Sequence, residues 1–516
     1  MNVSGYLGID AGTQGLSVIF TADDLRIVGT GEAAYDMVPD LPPECFEQRP
    51  GDWERALVTA LERLRERLHR DGLAMDVRGI GISGQMHGEV LADGAGAALG
   101  PARLWCDARN EAEGEELTAR LGVKMPKRIT AARWLWTIRN RPDRAARTAH
   151  LTTPSGWIAR LLTGQWLLGI GDAAGMFPID QATLDYDARL LADFDALVAA
   201  EPTAPRVKPL GDLLPQVRRA GGDGGTLTPA GAALLGLPAG IPVAAAEGDQ
   251  PAALTGSLIA APGMVSMSFG TSVVANSVGD RPFRGIARAV DHFCAPDGRP
   301  INMVWLRNGT TAMNAVVEMF GRLQGGDRGA GFAAVVPQLV AAADDCGGLS
   351  ALPFIDDEPG LGVARGGTAC LVGLSADNAT PGNAAKAMLL ATIFNLRLGS
   401  EVLDAQGFPR SEIVLSGGLT KTPQLGQLLA DAFHTPVSIL AGATEGTAWG
   451  ATLLAKYRVE SLAGGGRGWP EFLAAHATGT PTRFTPRREA MATLDTAFAR
   501  HRRLVAAQPA LDGVVG

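Results

Sequence analysis

The sequence predicts an α/β protein built from two similar domains, and three stretches carry that expectation. "YLGIDAGTQGLSVIF" (6–20) is an apolar run, a Gly-rich turn and a second apolar run. That is the pattern of a β-hairpin turning through Asp10-Ala11-Gly12-Thr13-Gln14-Gly15. "VSMSFGTSVVANSV" (265–278) repeats it in the second half, with Gly270-Thr271 where Gly12-Thr13 stood. "SEIVLSGGLTKTPQLGQLLADAFHTPVSIL" (411–440) then reads as strand, Gly-Gly turn, helix and strand, as an α/β domain would supply.

Between the two hairpins the chain predicts an amphipathic helix over about Trp53 to His69, then a strand in "VRGIGISG" (77–84). "ITAARWLWTIRNRP" (129–142) reads as a helix stopped near Pro142. Pro202 to Gly240, rich in Gly and Pro, reads as connecting loops. Pro251 to Gly279 carries no charge, but Pro262-Gly263 interrupts it and Ser, Thr and Gly punctuate it, so it reads as core rather than a membrane span.

Bulk properties narrow the function. The 516 residues, 46% apolar and 19% charged, allow two large domains with substantial cores. A net charge of -8 argues against a nucleic-acid partner, which wants a basic face. Cys45, Cys106, Cys294, Cys346 and Cys370 are scattered and never spaced as CxxC, which suits a reducing cytoplasm without structural zinc. The opening "MNVSGYLGID" lacks the basic and apolar regions of a signal peptide.

"GIGISG" (79–84) matches GxGxxG in form, but its glycines lie inside the strand pattern instead of opening a helix, so a nicotinamide site is not expected. GxxxxGK[ST] does not occur, so no P-loop is present and any nucleotide is bound another way. Gly12-Thr13 and Gly270-Thr271 offer backbone N–H groups and hydroxyls at hairpin tips, where phosphate oxygens can approach. Gly417-Gly418 leaves open room for a base or ribose beside a helix start. Asp10 adjoins the first turn as a magnesium-facing acid. Each turn alone could be an ordinary tight turn; the set together with Asp10 points to a nucleotide.

"SGQMHG" (83–88) ends a strand with Gln85, Met86 and His87, where α/β proteins place ligands. "LWCDARN" (104–110) adds Trp105, Asp107 and Arg109. Asp107 and Arg109 read either as a surface pair or as sugar ligands. "AEGDQPAALTG" (246–256) sets Glu247 and Asp249 in an otherwise apolar stretch. Asp249 reads as a helix N-cap, with Pro251 suited to the first turn, and as a chemical acid that the cap would keep ionised.

In order from Gly8 to about Ala451, these motifs resemble the FGGY family of carbohydrate kinases. "TAARWLW" stands in the place of the family's TAxKLLW helix, and "EGTAWGA" (445–451) completes the set. The resemblance implies two actin-like (ribonuclease H-like) ATPase domains with an interdomain cleft. Residues 1–252 would carry the sugar side and first phosphate loop, and 253–516 the second phosphate loop and adenosine site. It implies ATP-dependent phosphorylation of a terminal hydroxyl, with Mg²⁺ and with domain closure excluding water. Asp249 and Asp10 would be catalytic, Asp10 facing the metal. Gln85, Met86, His87, Trp105, Asp107, Asp249 and Gln250 would bind sugar. Gly12, Thr13, Gln14, Gly270, Thr271, Gly417, Gly418 and Thr422 would bind nucleotide.

Within the family SGQMHG looks most like the xylulose kinases, which makes D-xylulose the expected acceptor; glycerol kinases carry Arg-Glu where Met86-His87 stand. Three departures blur the picture: Arg133 for a usual Lys, Asn314 and Glu318 for Gly and Gln, and Gln250 as in glycerol kinases. Which residues of 309–318 meet the nucleotide is therefore open. Ribulose, L-xylulose, sedoheptulose and glycerol stay as alternative acceptors. An actin-like ATPase scaffold and a sugar-responsive regulator are the rival classes, but no extra segment supplies a filament, peptide or DNA contact. Sugar and ATP are the expected partners, without nucleic acid or membrane, and a homodimer is left open.

Overall fold

The computed structural model describes residues 1–201, 207–323, 325–326, 328–440, 446–477 and 480–514. The chain divides into two compact units, each assembled from three segments. Met1–Ala260, His292–Ile301 and Glu445–Ala477 form one; Ala261–Asp291, Asn302–Thr444 and Thr478–Gly516 form the other. The expected cut between 252 and 253 is a single point in sequence, whereas these units are interleaved along it.

In the first unit, β1 (Asn2–Ala11), β2 (Gly15–Ala22), β3 (Ile27–Ala34), β4 (Ala74–Gly84) and β5 (Glu247–Gly248) form one sheet ordered β5-β4-β1-β2-β3. β1, β2 and β3 are antiparallel neighbours, while β4 runs parallel to β1 and β5 parallel to β4. Central β1 buries Tyr6, Leu7, Gly8 and Ile9, which explains its nearly unbroken apolar run. Ala11 pairs with Leu16, so the strands extend one residue further into the expected turn. Helix α1 (Pro50–Arg70) starts on a proline and buries Trp53, Ala56, Leu57, Ala60, Leu61, Leu64 and Leu68 as one stripe.

The glycines of GIGISG lie within β4, as the strand context required, and serve packing. The helix Gly446–Leu462 lies over them: a Cβ on Gly81 would stand 1.8 Å from the carbonyl oxygen of Ala451. On Gly8 of β1 it would stand 2.1 Å from that of Ala448. Only hydrogen at Cα allows so close an approach of helix to sheet. Gly81→Ala should accordingly lower the melting temperature by roughly 3–10 °C, the overpacking penalty of a rigid backbone contact. An unchanged melting curve would mean that the helix can recede freely.

Two stretches differ from expectation. Thr130–Asn140 is helical and stops where expected, but Pro142 opens a further short helix, Pro142–Arg147. Of the Gly- and Pro-rich stretch, residues 202–206 lie outside the described residues; the remainder is more regular than loops. Gln216–Arg218 pairs parallel with Leu167–Gly169, and Pro229–Leu235 is a helix capped by the Thr228 hydroxyl and ended by Gly236. Pro and Gly act there as the start and stop of a helix. Pro251–Gly279 contains a short helix and the second hairpin, and among the described residues no helix is long and apolar enough to cross a membrane.

A second sheet is formed by β6 (Met264–Phe269), β7 (Val273–Val278), β8 (Val290–Cys294), β9 (Pro300–Leu306), β10 (Glu412–Gly417), β11 (Val437–Ile439) and β12 (Thr482–Phe484), ordered β8-β9-β7-β6-β10-β11-β12. β6 and β7 form the antiparallel hairpin, and β10 and β11 continue parallel to β6. The run β9-β7-β6-β10-β11 repeats the order of the first sheet. The duplication announced by the two Gly-Thr turns is therefore a duplication of sheet plan. A long buried helix, Pro381–Ala405, packs beneath it, capped by the Thr380 hydroxyl.

Candidate functional site

Parallel pairing of β4 with β1 and β5 brings three strand ends to one edge of the first sheet. Asp10 lies opposite Ser83, and Glu247 also opposite Ser83. Beyond these ends run the Gly12-Thr13-Gln14 turn, Gln85-Met86-His87, and helix α2 (Asp249–Gly256). The carboxyl ends of parallel strands are where α/β sheets hold ligands. Residues remote in sequence thus meet here because strand register puts them there.

Asp10 and Asp249 remain partly accessible at this edge. Asp10 accepts from the Ser83 hydroxyl at 2.7 Å and from the Thr447 hydroxyl. Burial raises its pKa above the ordinary carboxylate value, and these two hydrogen bonds oppose the rise. Asp249 is not the N-cap the sequence suggested. Gly248 occupies the cap, and Asp249 is the first helical residue. Nor is it held ionised: burial, then Asp10, then Asp172 push its pKa to about 7, against the pull of the Gln250 and Met86 backbone N–H groups. A rigid site crowded with acids outweighs the helix terminus.

The second acid of the AEGDQ stretch has a different task. Glu247 is buried and accepts from the backbone N–H of Gly171 at 3.3 Å and of Asp172 at 3.0 Å. It thereby anchors the start of the helix Ile170–Met176. A Cβ on Gly169 or Gly171 would collide with it at 2.3 and 2.6 Å, which accounts for the glycines of "LGIGDAAG". Sequence reading passed over that stretch and over Asp172, which it carries. Its signal was a lone acid among glycines between apolar runs.

The sugar-side expectations divide. Met86 is buried, and His87 sits in the left-handed region with φ 64°. Its Nδ1 lies 2.9 Å from the carbonyl oxygen of Gly175, which can only accept, so Nδ1 carries the hydrogen and Nε2 is left an acceptor. Burial, with Arg128 and Arg133 nearby, lowers its pKa to about 3 and keeps it neutral. Gln85 is buried, and its amide meets Gln48 at 2.9 Å, with Gly12 and Thr13 at 3.4 Å, so it braces the first turn. Trp105 is 39% exposed and donates to the Thr13 hydroxyl at 3.1 Å. Gln250 follows Asp249 within α2.

Asp107 and Arg109 are not a surface pair. Asp107 is wholly buried, and its carboxylate accepts from Arg109 Nη2 at 2.6 Å and from the Phe46 N–H at 2.9 Å. Burial alone would raise its pKa, but these partners bring it below the ordinary value. Arg109 continues to Glu47 at 2.6 Å. The Arg133 departure also has a structural reason. Its guanidinium donates to the carbonyls of Leu104 at 2.9 Å and Trp105 at 2.7 Å, fixing the LWCDAR loop with several donors where Lys has one nitrogen.

The first turn has room for an anion. Tyr35 ties its Gly12 and Gly15 carbonyls, while among the described residues no protein acceptor takes the N–H of Thr13 or Gln14. Among the described residues no cluster of His, Cys or acids could hold a metal unaided. Mg²⁺ usually keeps several waters and takes one or two carboxylates plus phosphate, a demand that Asp10 fits.

In the second unit, Phe269 pairs with Gly417, so Gly270-Thr271 and Gly417-Gly418 leave adjacent strand ends. Gly417 adopts φ 75°, and a Cβ there would meet the Ser268 hydroxyl at 2.7 Å. A 3-10 turn, Gly418–Lys421, intervenes before the helix Leu425–Phe433, with Thr422 between them. Within 309–318, Gly309 and Thr310 donate to the Thr271 and Gly270 carbonyls at 2.9 and 2.8 Å, and Asn314 to Thr310. That segment buttresses the second Gly-Thr turn.

Comparison with known proteins agrees with this layout. The N-terminal domain profile of the FGGY family of carbohydrate kinases matches residues 5–256, and the C-terminal domain profile matches 265–459. A xylulose kinase of Haemophilus influenzae is 26% identical over 490 residues, covering 91% of this chain and 92% of that protein. The crystal structure of a xylulose kinase from Rhodospirillum rubrum superposes with a TM-score of 0.80 at 22% identity, covering 99% of each chain. A gluconate kinase from Lactobacillus acidophilus reaches 0.83 at 17% identity, covering 100% of each. The fold is thus that of two actin-like domains, and with both profiles matched around the paired strand ends, the chain belongs to the FGGY family of carbohydrate kinases.

Proposed function

We propose that this kinase transfers the terminal phosphoryl group of ATP to the terminal hydroxyl of D-xylulose. The observation that carries the reading is the partly accessible Asp249, neighbouring Asp10 and the first phosphate-sized turn at one sheet edge. The naming of curated relatives as xylulose kinases supports the acceptor.

In this mechanism Asp249 takes the proton of the sugar hydroxyl as that oxygen attacks the terminal phosphorus and ADP leaves. The free N–H groups of Thr13 and Gln14 receive phosphate oxygens. Asp10 orients toward Mg²⁺, which when bound supplies charge neutralisation at the phosphates. Gly270, Thr271, Gly417, Gly418 and Thr422 hold the nucleotide. Met86 packs on the sugar, and His87 accepts a hydroxyl hydrogen through Nε2; its fixed tautomer cannot donate to the ketose carbonyl. Gln85 and Trp105 act through Thr13, and Asp107 acts through the Arg109–Glu47 network.

ADP release measured against D-xylulose, D-ribulose, L-xylulose, sedoheptulose and glycerol tests the proposal. Sugar-dependent release, fastest with D-xylulose, is expected; sugar-independent turnover or none would reject it. His87→Ala should raise KM for the sugar by roughly ten- to a hundredfold, the effect of leaving a buried hydroxyl unpaired, with a smaller change for ATP. A lower melting temperature with both constants unchanged would instead make His87 a structural residue.

A further inference from the structure

A fourth acid stands behind the strand ends. Asp172, on the helix Ile170–Met176, is fully buried, yet only one of its oxygens is engaged. Oδ2 accepts from the Thr153 hydroxyl at 2.6 Å and the Ser155 hydroxyl at 2.5 Å. Oδ1 is buried, and among the described residues it has no hydrogen-bond partner. It points to the residue before the base: a Cβ on Gly248 would stand 3.3 Å from it. The same helix supplies the Gly175 carbonyl that sets the His87 tautomer.

A buried carboxyl oxygen left unpaired is unfavourable and calls for an explanation. Helix capping explains only Oδ2, because Thr153 caps the helix Pro154–Thr163 with or without Asp172. Replacing the aspartate by a neutral residue would remove the unpaired oxygen at no loss to that cap. What a neutral residue would not provide is a carboxyl beside Asp249 that ionises as the pH passes about 7.

We propose that Asp172 is a positioning residue for Asp249: its carboxyl, clamped by Thr153 and Ser155 and lodged against Gly248, makes Asp249 a stronger acceptor of the sugar's proton. The inference rests on the assignment of Asp249 as the base. The other groups around the pair are Asp10 from β1, Glu247 from β5, Asp249 itself and the Tyr186 phenol, with Arg128 and Arg133 facing His87. Among the described residues none of the ion pairs engages Asp172, Glu247 or Asp249, so no cation partners these carboxyls.

Asp172→Asn keeps the shape and an oxygen for the two hydroxyls, and removes the charge. The expected result is a shift of the acidic limb of the kcat/KM profile to lower pH by about one unit, from loss of a nearby like charge. The plateau kcat should fall about three- to tenfold as the base weakens, with both KM values within about threefold of the parent. A second readout needs no turnover. Burial raises the Asp172 pKa to about 7 in the folded chain. The folded state therefore holds a proton that the unfolded chain releases near pH 4, and stability falls as pH rises from about 4 to about 7. The melting temperature of Asp172→Asn should fall less steeply across that window.

A variant whose acidic limb and melting slope both overlay the parent's would overturn the inference. If Asp249→Asn retains turnover, or the parent has no acidic limb, the base assignment falls and this inference with it. If Asp249→Asn is inactive while Asp172→Asn leaves the limb unmoved, this inference alone falls.

Discussion

Asp249→Asn should lower kcat by about 10²- to 10⁴-fold, the usual contribution of a general base. The variant should stay folded and bind nucleotide. Asn matches the shape of Asp249 and keeps an oxygen for the Gln250 and Met86 backbone N–H groups, and the change removes one of several crowded acids. In the parent, the base must be deprotonated to work, and its pKa is raised to about 7. The kcat/KM profile should therefore climb with pH to a plateau above that point, and bound Mg²⁺ should draw the midpoint lower. A loss of less than roughly tenfold would leave Asp249 as an ordinary first-turn residue.

Asp10→Asn should weaken the apparent affinity for Mg²⁺ by about 10- to 100-fold, the range for groups that orient a metal or its water. The amide retains an acceptor for one of the two hydroxyls that now flank the carboxylate, those of Ser83 and Thr447. Binding of the sugar alone, followed by calorimetry, should be nearly unchanged. Titrating MgCl₂ at fixed ATP separates the effects; a curve identical to that of the parent would remove Asp10 from the metal's surroundings.

Local pattern made some features readable before any coordinates. Both hairpins, the amphipathic helix ahead of Arg70 and the strand–turn–helix–strand near the end follow from periodicity and turn residues. The glycines of GIGISG were readable as strand residues, but not as the floor on which a helix some 370 positions later would lie. Asp249 was readable as important, yet its charge state was not, because Asp10 and Asp172 reach it only through strand pairing. The roles of Glu247 and Asp172 escaped for the same reason: the N–H groups that Glu247 receives and the Thr153 and Ser155 hydroxyls on Asp172 lie far off in sequence. Gln85 and Asp107 looked like ligands since a strand end and a polar loop are where ligands sit. Only packing shows that their polar atoms already brace neighbouring segments.

The helix Gly446–Leu462 seats on strands laid down at residues 2–11 and 74–84, although it is made after most of the second unit has been translated. On the ribosome the glycine-lined face of the first sheet must therefore wait, uncovered, through the synthesis of several hundred residues, at about 5–20 residues per second. An exposed apolar face held open for tens of seconds is a binding surface for holding chaperones and a liability for aggregation. The order of synthesis thus keeps the first unit incomplete until Ala477, with only the closing segment of the second unit still to come, and abundance in a cell should depend on how quickly that C-terminal stretch arrives.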